Sequence, residues 1–181
     1  MAAAAKQLTP LTLELGGKSP CIVDESANLD FAARRIAWAK TSNAGQVCIA
    51  PDYLLVHENI KNALVKKLQQ VLINFYGNDP SQSKSYGRII NQKHLDRLTK
   101  LMRRGNIIFG GEVKAETLYI SPTLIDEVSW EDPIMQEEIF GPLLPILTFK
   151  HFDEAIASLN SLPKPLALYL FSHHKKNAQR L

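Results

Sequence analysis

Three stretches of the chain hold residue types that can do chemistry. The first is Gly45-Gln46-Val47-Cys48, which follows a helical pattern and precedes Pro51 and a strand. A lone free cysteine most often serves as a small buried hydrophobe. A thiol at a break between elements can instead be open to solvent, with backbone N–H groups beside it. Such groups stabilise the thiolate, which is the nucleophilic form. They can also hold an oxyanion after attack on a carbonyl. Cys21, inside Pro20-Cys21-Ile22-Val23, reads as core.

The second stretch is Leu11-Thr12-Leu13-Glu14-Leu15-Gly16-Gly17. Strict alternation predicts a strand with the leucines on one face and Thr12 and Glu14 on the other. Glu14 on a solvated edge is the plain reading. The Gly-Gly pair lets backbone or ligand approach closely, so a carboxylate at this strand end can also serve as a general base. The third stretch runs from Asp132 through Glu137-Glu138-Ile139-Phe140-Gly141-Pro142. Two adjacent carboxylates before an apolar pair and a Gly-Pro turn are unusual. A helical turn ended by Gly141, with Phe140 in the core, would also account for them.

Other chemistries find little support. Gly17-Lys18-Ser19 resembles the end of a phosphate loop, but the glycine needed five residues before Gly17 is Thr12. The glycines do not form G-x-G-x-x-G, so any dinucleotide phosphate site lies elsewhere. His57, His94 and His151 are isolated, and His173-His174 lacks a third ligand at metal spacing; no metal is expected. The net charge is only +3. Arg34-Arg35, Lys66-Lys67 and Arg103-Arg104 read as solvated helix faces, so no nucleic-acid partner is expected. Two cysteines and an Ala-rich start without an apolar signal region suggest a reducing, cytoplasmic setting.

The elements that must position these residues alternate. Strands are expected at Leu11–Leu15, Pro20–Val23, Tyr53–Val56, Asn106–Phe109, Tyr119–Ile120, Thr123–Ile125, Leu144–Phe149 and Leu166–Phe171. Helices are expected from Asn28 or Asp30 to about Asn43, from Asn59 to about Phe75, from Gln92 to Arg103, over Asp153–Leu159, and from His174 onward. With 45% hydrophobic residues, this predicts one α/β domain over 1–181. Its sheet should be open, twisted and mostly parallel, with helices on both faces.

Taken together, the stretches resemble the aldehyde dehydrogenase superfamily. Leu13-Glu14-Leu15-Gly16-Gly17-Lys18-Ser19-Pro20, Gly45-Gln46-Val47-Cys48 and Glu137-Glu138-Ile139-Phe140-Gly141-Pro142 stand in the family's order, with its spacing from Glu14 to Cys48. Arg34-Arg35-Ile36-Ala37-Trp38, Ala50-Pro51-Asp52-Tyr53 and Lys164-Pro165-Leu166-Ala167-Leu168-Tyr169 are similar to the class 3 branch. Val47 stands where many members have Thr.

The resemblance implies that Cys48 is the nucleophile and Glu14 the base that releases the acid. It implies that Glu138 binds the nicotinamide ribose of NAD or NADP and that Phe140 packs beside the nicotinamide. Medium- or long-chain aliphatic or aromatic aldehydes would be the substrates. The chain would be the catalytic domain, without the cofactor-binding and C-terminal dimerisation segments. Alone it would be inactive as a dehydrogenase and would self-associate through uncovered surfaces, whereas the parent enzyme would be a homodimer. The alternatives are a catalytically incomplete binding or structural module, or an acylating enzyme that hands the acyl group to coenzyme A. Many acylating relatives lack the carboxylate at the position of Glu14.

Overall fold

The structure, a computed structural model, describes residues 1–181. Eight strands form: β1 Pro20–Val23, β2 Tyr53–His57, β3 Asn106–Phe109, β4 Val113–Lys114, β5 Tyr119–Ile120, β6 Thr123–Asp126, β7 Leu143–Phe149 and β8 Tyr169–Phe171. The α-helices are α1 Ala2–Ala5, α2 Leu29–Thr41, α3 Lys61–Tyr76, α4 Gln92–Leu101, α5 Pro133–Gln136, α6 Phe152–Asn160 and α7 Lys175–Gln179. Six strands make one sheet in the order β3-β6-β7-β2-β1-β8. All its pairings are parallel except β3 with β6. The remaining two strands, β4 and β5, form a small antiparallel pair.

Burial explains the strands. Every residue of β1 and β2 is buried, as befits parallel strands covered on both faces. One face carries α2 and α3, through Ala33, Ile36, Leu64, Leu68 and Leu72. The other carries α4 and α6, through Leu95, Leu98, Leu101 and Ala155. Asn28 caps α2 by accepting from the Phe31 N–H, and Asn91 caps α4 by accepting from the His94 N–H.

Two expectations fail. Leu11–Leu15 is not a strand: residues 10–16 make no backbone hydrogen bond, and Leu11, Leu13 and Leu15 are all exposed. Alternation gives a segment two faces, but a ladder needs a neighbouring strand. The edges of the sheet are β3 and β8, and this segment pairs with neither. The last strand is also shorter than its apolar pattern. It begins at Tyr169, and just before it Pro165 and Leu166 lie against the Gly-Gly turn, where a Cβ on Gly17 would sit 2.7 Å from the Leu166 nitrogen.

Candidate active site

Each of the three chemically suspect stretches lies immediately before a parallel strand, residues 14–19 before β1, 43–52 before β2 and 137–142 before β7, and the segment 165–168 lies likewise before β8. The sheet order places β7, β2, β1 and β8 side by side, so the four loops converge at one end of the sheet. This is the amino end of the strands, opposite to the usual ligand crevice of open α/β sheets.

The Cys48 loop is the most constrained of them. Asn43, Ala44 and Gly45 have φ of 50°, 53° and 74°, three successive residues in the left-handed region. Gly45 fits for a second reason. A Cβ there would lie 2.2 Å from the Gly141 carbonyl oxygen, so the Cys48 loop rests directly on the Phe140-Gly141 backbone. The Val47 carbonyl then accepts from the Ala50 N–H at 3.0 Å, which puts Cys48 at the corner of a turn. Cys48 is exposed and Cys21 is buried. Burial pushes the Cys21 thiol pKa far up, so the core thiol is not a nucleophile. The Cys48 N–H donates to no group in the chain, which leaves it free for an oxyanion.

Gln46 is a positioning residue that sequence reasoning quoted without a role. Its Nε2 donates to the Asn43 and Arg88 carbonyls, each at 2.9 Å, and its Oε1 accepts from the Ile90 N–H at 3.0 Å. One amide thus splices the Cys48 loop to residues 88–90. On the other side, the Tyr169 hydroxyl donates to the Ile49 carbonyl at 2.6 Å.

Glu138 lies against the Gly-Gly turn. Its Oε1 accepts from the Gly17 N–H at 3.2 Å, and a Cβ on Gly16 would stand 2.0 Å from its Oε2. Only glycine allows that approach. Phe140 is 38% exposed with φ 49°, so the core position allowed by the sequence does not occur. Neither does a helical turn ending at Gly141, since α5 stops at Gln136. Arg97 fixes this loop by donating to the Glu138 and Ile139 carbonyls, at 3.2 and 2.5 Å. Glu14 is exposed and hydrogen-bonds to no group in the chain, two residues ahead of the glycine that Glu138 faces. The structure therefore joins the Gly-Gly turn to Glu138 and the Cys48 loop to Gly141, and leaves the carboxylate of Glu14 free.

A partly buried ion pair, with Asp52 the more deeply buried partner, ties these loops together. Lys18 Nζ donates to Asp52 Oδ2 at 2.5 Å and to the Ile134 and Glu137 carbonyls at 2.7 and 3.0 Å. Asp52 Oδ1 accepts from the Ile139 N–H at 2.9 Å. Burial lowers the Lys18 pKa, opposed chiefly by Asp52. In the sequence Asp52 stood only as part of the class 3 stretch, without a role, because its meaning depends on groups far along the chain. Changing Asp52 to Asn would remove the main negative charge beside the Lys18 ammonium and leave it two carbonyl acceptors. We expect it to destabilise the protein by about 3 kcal/mol, measurable by denaturant titration.

The whole chain, residues 1–181, matches the model of the aldehyde dehydrogenase family. It belongs to that family. It is 54% identical over 99% of its length to 4,4'-diaponeurosporen-aldehyde dehydrogenase of Staphylococcus aureus, and covers 39% of that protein. It is 50% identical over its whole length to the dimeric NADP-preferring aldehyde dehydrogenase of Rattus norvegicus, and covers 40% of that relative. Relatives designated family 3 members A2 and B1 also match, in keeping with the class 3 resemblance. The substrate-bound structure of Staphylococcus aureus AldH superposes with a TM-score of 0.96 at 53% identity, over 99% of this chain and 40% of that one. The chain thus spans about two-fifths of the relatives it matches. No helix is long and apolar enough to cross a membrane.

Proposed function

We propose that this chain supplies the thiol-bearing domain of an enzyme that oxidises aldehydes to carboxylic acids with NAD or NADP. The observation that carries the reading is the Cys48 turn: an exposed thiol, its own N–H unpaired, held on the loop that carries Glu138 and Phe140. In this reading the Cys48 thiolate adds to the aldehyde carbon and forms a thiohemiacetal. The Cys48 N–H holds the oxygen as it gains charge. Once the carbon has been oxidised to a thioester, Glu14 takes a proton from water, and the water attacks the thioester to release the acid.

The residues present fit the nicotinamide end of a dinucleotide. The Gly16–Gly17 turn makes a cradle that a Cβ would fill, with the Glu138 carboxylate on it and the exposed Phe140 ring nearby in sequence. Glu138 would receive a ribose hydroxyl, and Phe140 would pack beside the ring. When bound, the nicotinamide supplies the oxidising step by accepting hydride. NADP is named for the rat relative.

An apolar groove of about 430 Å³ is lined by Phe31, Trp38, Val47, Ile49, Tyr169 and Phe171 among others; the chain neighbours of Cys48 open onto it, while Cys48 itself is not in its wall. Aldehydes with long aliphatic or aromatic tails are the substrates that the class 3 resemblance implies. Exposed Leu11, Leu13 and Leu15 favour self-association of the chain, and the rat relative is named as dimeric, which supports a dimer for the parent enzyme. The free Glu14 carboxylate favours release to water over transfer to coenzyme A.

Hydrolysis of an activated ester tests the reading, because acylation of Cys48 needs no cofactor. Changing Glu14 to Gln should leave the acylation burst intact and slow the steady phase by about 10²-fold. An unchanged steady phase would remove Glu14 from its role.

A further inference from the structure

Strand β8 sends Tyr169 and Phe171, two residues apart, to the same face, and both rings line the apolar groove onto which Val47 and Ile49 open. Phe171 shows that a plain phenyl ring serves in that wall. Packing therefore accounts for the ring of Tyr169 and leaves its hydroxyl unexplained. That hydroxyl donates to the Ile49 carbonyl at 2.6 Å, from a residue far along the chain.

Ile49 directly follows the thiol. Its carbonyl and the Ala50 N–H belong to one peptide unit, and that unit closes the turn on which Cys48 stands. The Ala50 N–H donates to the Val47 carbonyl at 3.0 Å, and no backbone N–H donates to the Ile49 carbonyl. Both polar ends of the peptide are thus fixed, one from within the turn and one from β8. The strand is itself held in register on β1, with Tyr169 opposite Cys21, so the hold on the turn comes from the sheet. Gln46 ties the entry of the turn to residues 88–90, and Tyr169 ties its exit.

We propose that Tyr169 is a positioning residue for Cys48: its hydroxyl pins the Ile49–Ala50 peptide and so fixes how the Cys48 thiol and N–H meet an incoming carbonyl. The proposal rests on reading Cys48 as the nucleophile. Burial raises the Tyr169 pKa, and Cys21 and Cys48 nearby add to the rise. The hydroxyl therefore stays intact as a donor from neutral to mildly alkaline pH.

Burst kinetics of the full chain with p-nitrophenyl acetate test this. Tyr169→Phe removes the hydroxyl and keeps the ring. It should slow the acylation burst by about five- to tenfold, and by the same factor at pH 7 and pH 9. Alkylation of Cys48 by iodoacetamide displaces iodide and builds no oxyanion, so it should change by less than about twofold. Gln69→Met is the control for a merely structural loss. It removes a donor to the Ile108 carbonyl at the opposite edge of the sheet, and it should leave the burst at the parent rate. An unchanged burst in folded Tyr169→Phe would overturn the proposal. So would an equal fall in alkylation, or a deficit that fades at pH 9 and marks Tyr169 as a proton donor. A chain that cannot fold without the hydroxyl would overturn it as well, by assigning that group to stability. In each of these cases a parent chain acylated on Cys48 keeps the dehydrogenase reading standing. A parent chain with no burst at Cys48 would count against both.

Discussion

Cys48→Ala is expected to reduce hydrolysis of an activated ester to the rate set by buffer, a loss on the order of 10³-fold or more. Cys21→Ala should retain the parent rate. The contrast follows from environment, since both residues are thiols. Cys21 is fully buried in β1, and desolvation keeps it protonated. Cys48 is exposed at a turn corner with its own N–H unpaired. A mass spectrum of the trapped chain should carry the acyl group on Cys48. Equal loss in both variants would count against the assignment. So would acyl label on Cys21.

The second large effect is expected from adding one methyl group. Gly45→Ala puts a Cβ at φ 74°, and that Cβ would lie 2.2 Å from the Gly141 carbonyl oxygen and 2.9 Å from the Lys40 carbonyl oxygen. Left-handed backbone costs an alanine roughly 1 kcal/mol, and overpacking against backbone adds about 1–3 kcal/mol. Together these should lower the melting temperature by about 5–12 °C in a domain of this size. The loss of ester hydrolysis should exceed what the unfolded fraction explains, because relief of the clash moves Cys48 away from the Phe140-Gly141 loop. Wild-type melting and wild-type turnover would show that the loops do not depend on this contact. Ala44 already carries a Cβ at φ 53°, so it is the contact, more than the backbone angle, that selects glycine at 45.

Much of the architecture was legible because it rests on local pattern. The stripe Leu64, Leu68, Leu72 marks α3, and the short apolar runs mark β1, β2 and β7. The strand order was not legible, since parallel neighbours are chosen by contacts between distant residues. The same limit explains the misread strand at Leu11–Leu15, where alternation is present and a partner is not. Within the site, the break before Cys48 and the Gly-Gly pair were readable as chemistry in waiting. The exposure of Phe140 was not, because φ 49° at that residue turns its ring outward against the expectation from its type. Asp52 and Tyr169 stood in the sequence without a role. Only the folded chain brings Lys18 and Ile139 to the one and the Ile49 carbonyl to the other.

The loops that carry Cys48, Glu138 and the Gly-Gly turn stand at the amino ends of the strands, and the carboxyl ends form a separate surface. There, Asp24 accepts from Asn177 Nδ2 at 2.8 Å, and His57 stacks edge-on against Phe149 at 5.5 Å. At the turn after β7, the Lys150 and His151 N–H groups both donate to Glu154 and cap α6. A fluorophore or affinity handle there belongs on an exposed side chain and not in the backbone; so placed, it would stand at the opposite end of the strands from Cys48.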